Sequence, residues 1–304
     1  MDWKNTVWEG IGRFARLLPP NWLESGLSSK GKLGRIARLG LIERDLSVKY
    51  GLASGVKFNA GAYNPDTSLG TYEMPVQEVL SQYLKSGSVF YDIGANVGFF
   101  TILGAKLVGH EGKVYAFEPE STNIATLRRN IQLNNFAHVS VIEKAVSKTT
   151  GVEKLWLTEY SGSHTLAPEN LQDNTVSVNT SASNVLSQLP KSEIPSFLKI
   201  KECITVDTVS IDSLLQQQEI EPPTLVKIDV EGAEIDVLQG MSQTLEAWKP
   251  IVIYEVDDEN QEGLLDKREK IEHFLLSYGY KIESLIPSYR EIAWNVGHAI
   301  AIPA

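Results

Sequence analysis

Cysteine and histidine are scarce in this sequence of 304 residues, which has one cysteine and five scattered histidines. The lone thiol, Cys203, excludes a disulfide scaffold and a site built from several thiolates. No two histidines have the H-x-x-x-H spacing of a zinc helix. We therefore expect no bound metal.

Long apolar runs are also lacking. No stretch approaches the roughly 18 uninterrupted apolar residues of a membrane-spanning helix, so none is expected. Asp2, Glu9 and Arg13 interrupt the apolar region that a signal peptide would need. Together with the single cysteine, this predicts a cytoplasmic protein.

Basic residues are outnumbered, with 28 Lys and Arg against 38 Asp and Glu and a net charge of −10. A general nucleic-acid binder needs a basic face, so nucleic acid is not an expected partner. The charge is uneven, because residues 1–50 hold nine basic and five acidic side chains. The chain thus has an acidic body and a mildly basic N-terminal region.

The N-terminal region has apolar residues at helical spacing. They are Trp3, Val7, Ile11, Phe14 and Leu18, and Pro19-Pro20 follows them. We expect residues 1–69 to form a helical arm that helps to select the substrate, or that packs on its own domain or on a second subunit in a homodimer. Peripheral contact with a membrane surface is the alternative, since Trp, Phe and Arg are the residue types of interfacial helices.

From about residue 75, apolar strands and helices alternate. Short apolar runs predict five buried strands, at 89–93, 113–117, 139–145, 224–229 and 251–256. Two further strands, at 280–286 and 296–302, are predicted to form an antiparallel hairpin. This pattern is typical of an open, mostly parallel sheet with helices on both faces, whose ligands bind at the carboxyl ends of the strands.

The alternation breaks between residues 147 and 210, which are rich in Ser, Thr and Asn. Segments 154–157, 176–178 and 203–206 nevertheless look like strands. We therefore predict a β-containing insertion at about 158–200, within a catalytic domain of residues 70–304. Part of this insertion is expected to act as a lid.

A glycine loop of the pattern G-x-N-x-G, at Gly94, Asn96 and Gly98, follows the first predicted strand. Gly94 permits a tight turn, Gly98 permits close helix packing, and both let a ligand approach the backbone. Asn96 departs from the G-x-G-x-x-G pattern of dinucleotide enzymes. Glu118 lies 20 residues past Gly98, at the end of the next strand, where a carboxylate can accept both ribose hydroxyls. Loop and acid together predict a nucleoside cofactor.

Acidic residues gather around two of the predicted strands. Asp92 should be nearly buried and needs a partner, either loop N–H groups or a ligand ammonium. Asp229, Glu231 and Glu234 follow the fourth strand, and alternation makes the first two share a direction if the strand continues that far. Such carboxylates can serve a general base, a divalent cation or a bound ammonium.

Several segments, taken in order, resemble the FkbM family of S-adenosylmethionine-dependent methyltransferases. They are residues 70–73, 92–101, 117–119, 130–131, 134–135, 144–147, 227–234, Leu238 and Gly240. The resemblance implies an α/β, class I methyltransferase (Rossmann-like) fold: a seven-stranded mixed sheet ending in an antiparallel hairpin. It also implies S-adenosyl-L-methionine as the cofactor.

The resemblance also implies roles for individual residues. Gly94, Asn96 and Gly98 would hold the methionine part of the cofactor, and Glu118 its ribose. Residues 143–145 would flank the adenine, Asp229 would approach the methionine end, and Glu73 would close over the site. The full implied cofactor set is Glu73, Asp92, Gly94, Asn96, Gly98, Phe99, Thr101, Glu118, Pro119, Glu143, Ala145 and Asp229.

The expected reaction is methyl transfer to an oxygen of a small-molecule or sugar-containing acceptor, including glycolipids. A hydroxyl acceptor needs a general base, and Asp229, Glu231 and His164 are the candidates in falling order; a carboxylate acceptor needs none. The alternatives are an N-methyltransferase and a non-catalytic protein that binds a nucleoside cofactor. A nucleic-acid base methyltransferase is disfavoured by the charge, and a nicotinamide dehydrogenase by Asn96.

Overall fold

The computed structural model describes residues 43–61, 64, 66–158, 165–166, 200–258, 260–288 and 295–304. The predicted N-terminal helix, the 176–178 strand and His164 lie outside these residues. No helix in the described ranges is long and apolar enough to cross a membrane.

The described residues contain strands of two to ten residues. These are β1 Leu46–Ser47, β2 Lys57–Phe58, β3 Val89–Ile93, β4 Lys113–Phe117, β5 Val139–Ile142, β6 Ala145–Val146, β7 Gly151–Thr158, β8 Thr165–Leu166, β9 Ile200–Val209, β10 Leu225–Ile228, β11 Ile251–Asp258, β12 Tyr280–Ser284 and β13 Asn295–Pro303. The helices are α1 Asp66–Leu69, α2 Met74–Tyr83, α3 Phe99–Val108, α4 Ser121–Asn134, α5 Ile211–Gln216, α6 Glu234–Gln239, α7 Ser242–Trp248 and α8 Gln261–Ser277.

Seven strands form the main sheet, in the order β12-β13-β11-β10-β3-β4-β5. The five strands β11, β10, β3, β4 and β5 run parallel to one another, whereas β13 runs antiparallel to both β11 and β12. The predicted parallel sheet with a final antiparallel pair is therefore confirmed. The order reverses between β3 and β10, and ligands of open α/β sheets bind at such a reversal.

Alternating side chains of the sheet feed two apolar cores. Tyr91 and Ile228 point into the layer packed by α5 to α8, whereas Phe90 and Leu225 point into the layer packed by α2 and α3. Both faces of the central strands are thus covered, which explains why these strands are apolar throughout.

A second sheet of four strands, in the order β6-β9-β7-β8, follows β5. It contains the predicted strand segments 154–157 and 203–206, within β7 and β9. The β-containing character of this region is confirmed, but most of the range 158–200 lies outside the described residues.

Residues 46–60 pack against the main domain. Phe58 is fully buried, and its ring meets that of Phe99 edge to face with the centroids 5.7 Å apart. The domain boundary at residue 70 stays a prediction. Phe58 lies before that boundary and packs on Phe99, which lies after it.

Several observed elements differ by a few residues from the ranges that the apolar pattern predicts. Helix α8 begins at Gln261, because the Asn260 side chain caps it by accepting the Gly263 N–H at 2.8 Å. The third strand ends at Ile142, and the chain then joins the second sheet at Ala145.

Candidate active site

The glycine loop turns tightly off β3, as predicted. The N–H groups of Gly94 and Ala95 both donate to the Phe117 carbonyl, at 3.1 and 2.9 Å. Gly94 has a φ of 79°, and a Cβ there would lie 1.8 Å from the carbonyl oxygen of Asp229. The close approach is thus to the chain after β10 rather than to open ligand space.

Gly98 and Asn130 fix the far end of the loop. A Cβ at Gly98 would lie 2.3 Å from Leu127 Cδ1, so the missing side chain lets α3 pack on α4. The buried Asn130 amide donates to the carbonyls of Asn59 and Val97, at 2.8 Å each, and accepts the Asn59 N–H at 2.7 Å. The Asn130 side chain therefore links the glycine loop, at Val97, to Asn59, which follows β2.

Glu118 lies at the end of β4 with only 5% of its surface exposed. Its Oε2 accepts the Asn96 N–H at 2.8 Å, and its Oε1 accepts the Glu120 N–H at 3.0 Å and the Asn123 amide at 3.3 Å. A carboxylate has about four acceptor positions, so one remains on the Oε2 side for a ligand hydroxyl. Burial raises the pKa of Glu118 to about 7.

Asp92 and Lys227 face each other across the reversal in strand order. They are register partners on β3 and β10, and Lys227 Nζ lies 3.8 Å from Asp92 Oδ1 and 2.8 Å from Asp229 Oδ2. The Thr101 hydroxyl donates to Asp92 Oδ2 at 2.6 Å. Thr101 and Lys227, rather than N–H groups of the loop, are thus the neighbours of the Asp92 carboxyl, because the β3–β10 register places a lysine opposite it. Its contact with a ligand ammonium stays a prediction.

Lys227 is charged although it is buried. Burial lowers its pKa, but the carboxylates of Asp229, Asp92 and Glu73 together outweigh that effect and raise the pKa above its ordinary value. Its ammonium also lies 4.9 Å from the centroid of the Phe100 ring, where a cation–π contact adds to its stabilisation.

The three acids after β10 do not continue the strand. β10 ends at Ile228, and Glu231 has a φ of 55° in the left-handed region. This turn still brings Glu231 to Asp229, so the predicted proximity holds for a different reason. Glu234 begins α6, where its carboxylate accepts the Gly232 N–H at 2.9 Å, and burial raises its pKa to about 7.

Glu231 lies among other acids. Burial, followed by the charges of Asp257 and Asp229, raises its pKa well above the ordinary value. In such surroundings the Glu231 carboxyl takes up a proton more readily than a solvent-exposed glutamate does.

Two residues at this edge were missed from the sequence, Glu255 and His298. His298 Nε2 lies 2.5 Å from Glu255 Oε2 and 3.3 Å from Glu73 Oε2. Glu255 interrupts the apolar run of β11, and an acid inside an otherwise apolar strand is the signal that could have found it. His298 has no such signal, because the β11–β13 register places it opposite Glu255.

Two groups of side chains converge as metal ligands would, with one atom from each residue within 4.8 Å of the others. The groups are Glu73, Glu255 and His298, and Asp229, Glu231 and Glu255. The Lys227 ammonium faces the second group. In the first group the carboxylates of Glu255 and Glu73 raise the pKa of His298 against the opposing effect of burial. Each group thus combines acidic side chains with a neighbouring basic one.

The other predicted cofactor residues lie around the same edge. Phe99 is buried among the rings of Phe58, Tyr72 and Phe100, which leaves its backbone as the part facing the loop. Pro119 follows Glu118. Glu143 is exposed and bonded to Arg128 Nε at 3.1 Å, and Ala145 pairs with Thr208 in the second sheet. Their contact with a cofactor stays a prediction.

The strand order, with its antiparallel final pair, and the glycine loop define a class I methyltransferase fold. The methyltransferase FkbM domain matches residues 92–282, and the chain belongs to this family. The family predicted from the sequence is thereby confirmed.

Relatives of named activity match part of the chain. The hexuronic acid methyltransferase AglP of Haloferax volcanii is 26% identical over 182 residues, which are 60% of this chain and 61% of the relative. The 31-O-demethyl-FK506 methyltransferase FkbM of Streptomyces tacrolimicus is 32% identical over 188 residues, which are 58% of this chain and 67% of the relative. The match thus spans about three fifths of the first relative's length.

Among solved structures, methyltransferase FkbM of Methylobacillus flagellatus is similar at 14% identity with a TM-score of 0.44. The similarity covers 78% of this chain and 52% of that one.

Proposed function

We propose that this protein is an S-adenosylmethionine-dependent O-methyltransferase for a small-molecule or sugar-containing acceptor. The observation that carries the proposal is the Glu118 carboxylate. It is buried at the end of β4, fixed by the Asn96 N–H of the glycine loop, and has one acceptor position left for a ribose hydroxyl.

The cofactor, when bound, supplies an electrophilic methyl group. The residues at the carboxyl ends of the strands bind and orient the cofactor. Glu118 accepts a ribose hydroxyl, while the Lys227 ammonium lies beside the carboxyl groups of Asp92 and Asp229 close to the loop. Because these groups are already paired in the buried site, the electrostatic environment needs little rearrangement when a cationic sulfonium enters.

The activities of two relatives support the proposed class of acceptor. One is a hexuronic acid methyltransferase and another is a 31-O-demethyl-FK506 methyltransferase. The second acts on a compound that lacks an O-methyl group, which supports an oxygen acceptor here.

Binding of the cofactor is tested by calorimetry of the full chain with S-adenosylhomocysteine, with NAD⁺ as the comparison. We expect S-adenosylhomocysteine to bind and NAD⁺ not to bind. Glu118→Gln should weaken binding about tenfold or more, because hydrogen bonds to a charged group contribute about 1.5–3 kcal/mol. Glu221→Gln, an exposed glutamate paired with Lys113, is the matched control and should leave affinity unchanged. Preference for NAD⁺, or no binding of either ligand, contradicts the proposal.

Methyl transfer is tested with S-adenosylmethionine labelled in the methyl group and a panel of neutral hexosides, hexuronosides and polyhydroxylated macrolides. Mild alkaline hydrolysis of the labelled product then distinguishes the two oxygen chemistries. A methyl ester releases labelled methanol, whereas a methyl ether keeps its label.

A further inference from the structure

Three side chains, Glu73, Glu255 and His298, form a cluster, called the relay below, of which only Glu73 was expected from the sequence. His298 Nε2 lies 2.5 Å from Glu255 Oε2 and 3.3 Å from Glu73 Oε2. The side chains are 3% exposed for His298, 1% for Glu73 and 15% for Glu255. Glu255 is therefore the end of the relay that a ligand can reach.

Each member of the relay comes from a separately anchored element. Glu255 and His298 are directly opposed on β11 and β13. Glu73 precedes α2 with a φ of 42°, and the buried Gln77 amide holds the turn before it by donating to the carbonyls of Gly70 and Tyr72, at 3.1 and 2.5 Å. Such a strained, over-determined backbone is typical of a functional site.

Glu255 also faces the predicted catalytic acids. One carboxylate oxygen of each of Asp229, Glu231 and Glu255 lies within 4.8 Å of the others. Among these three, Asp229 is committed to Lys227 at 2.8 Å, and the charges that act most strongly on Glu231 belong to other acids. Glu255 has the His298 ring beside its Oε2, which lowers the pKa of Glu255 against the larger effects of burial and Asp229, and its other oxygen is left for another donor.

We propose that Glu255 is the general base of methyl transfer to a hydroxyl, with His298 and Glu73 as positioning residues. This inference rests on the proposed O-methyltransferase function. In the step, the acceptor's O–H proton passes to the Glu255 carboxylate and the oxygen forms a bond to the methyl carbon. The electron pair of the broken carbon–sulfur bond stays on sulfur, which becomes a thioether.

The pH dependence follows from the groups that face Glu255. Burial and the charges of Asp229 and Glu73 raise the pKa of Glu255 against the lowering effect of His298, and the net pKa is about 8. A base acts in its ionised form, so the transfer rate should rise with pH through about 8. Loss of the His298 charge should move this rise to higher pH.

The first experiment measures transfer by the full chain to any panel acceptor that gives a methyl ether, across pH 6–10. Glu255→Gln should lower kcat about 100-fold or more, with the affinity for S-adenosylhomocysteine unchanged. His298→Gln should shift the rising limb to higher pH while keeping most of the plateau rate. A merely structural role for His298 would lower the rate at every pH without moving the limb.

Other results of the same assay would overturn the proposal. Glu231→Gln is the rival variant: if it abolishes transfer while Glu255→Gln retains it, Glu231 is the base. A product that is solely a methyl ester also overturns it, since a carboxylate acceptor has no proton to give. In that case the methyltransferase function stands and only the role of Glu255 fails.

A second experiment needs no acceptor. The histidine side-chain resonances of the labelled full chain are titrated by NMR, with His298 assigned from its variant. We expect the pKa of His298 to lie above the usual range and to fall in Glu255→Gln, because that change removes the closest negative charge. If no panel acceptor is methylated, this titration decides, and a His298 pKa that is normal or unaltered by Glu255→Gln overturns the proposal.

Discussion

The buried ammonium of Lys227 gives the clearest test of how the site is stabilised. Lys227→Met keeps the apolar stem over Phe100 but leaves Asp92, which is 1% exposed, without its cation. Removing one partner of a buried pair costs about 3–5 kcal/mol, because the other charge stays buried. For a chain of this size that corresponds to a fall in Tm of roughly 5–8 °C. Urea unfolding of the full chain at pH 8 measures the free energy directly.

The origin of this loss can be checked through Asp92. The Lys227 charge lowers the pKa of Asp92 against the larger effect of burial, so the variant's Asp92 has a still higher pKa in the fold. A carboxyl whose folded pKa exceeds its unfolded value gains stability as pH falls through the folded pKa. The deficit of Lys227→Met should thus be smaller at pH 5.5 than at pH 8, and Asp92→Asn should reduce it at pH 8. A deficit below about 1 kcal/mol, or one that neither change alters, refutes the reasoning.

Three further predictions concern the loop and its neighbours. Gly94→Ala should destabilise the protein far more than Gly87→Ala in urea unfolding; both glycines have positive φ, but only at Gly94 does a Cβ meet a backbone oxygen, at 1.8 Å. Equal losses would mean that backbone strain alone matters. Asn130→Ala removes three buried hydrogen bonds and should cost about 2–6 kcal/mol, whereas the more exposed Asn134→Ala should cost less because water replaces its bonds; similar losses would contradict this. Calorimetry should show that affinity for S-adenosylhomocysteine rises with pH through about 7 as Glu118 ionises, and that Glu118→Gln abolishes this rise; a slope kept in the variant would assign it to another group.

The sheet was predictable because its strands are buried on both faces. Runs such as Val89–Ile93 and Leu225–Ile228 are mostly apolar and too short for a buried helix, so they predict buried strands. Glycine or acidic residues mark where these strands end. Element ends were less predictable. The start of α8 depends on the cap at Asn260, which lies outside the apolar periodicity.

The site was predictable only in part, since local patterns describe one strand at a time. Asp92, Glu118 and Asp229 each lie within or just after a recognisable strand, and the structure brings all three to one edge of the sheet. The partnership of Lys227 with Asp92, and that of His298 with Glu255, arises from register between strands far apart in sequence. The spacing of residues along the chain does not reveal which residues are paired by that register.

The position of β13 has a consequence for synthesis of the chain on the ribosome. This strand lies between β11 and β12 but follows both in sequence, and it carries His298. A nascent chain that has released only residues up to 284 can pair β3, β4, β5, β10 and β11, and can form the glycine loop. It still lacks the imidazolium beside Glu255. We therefore expect the cofactor-binding half to become competent during translation, and the edge assigned to proton transfer to be completed only when residues 295–303 have emerged and inserted.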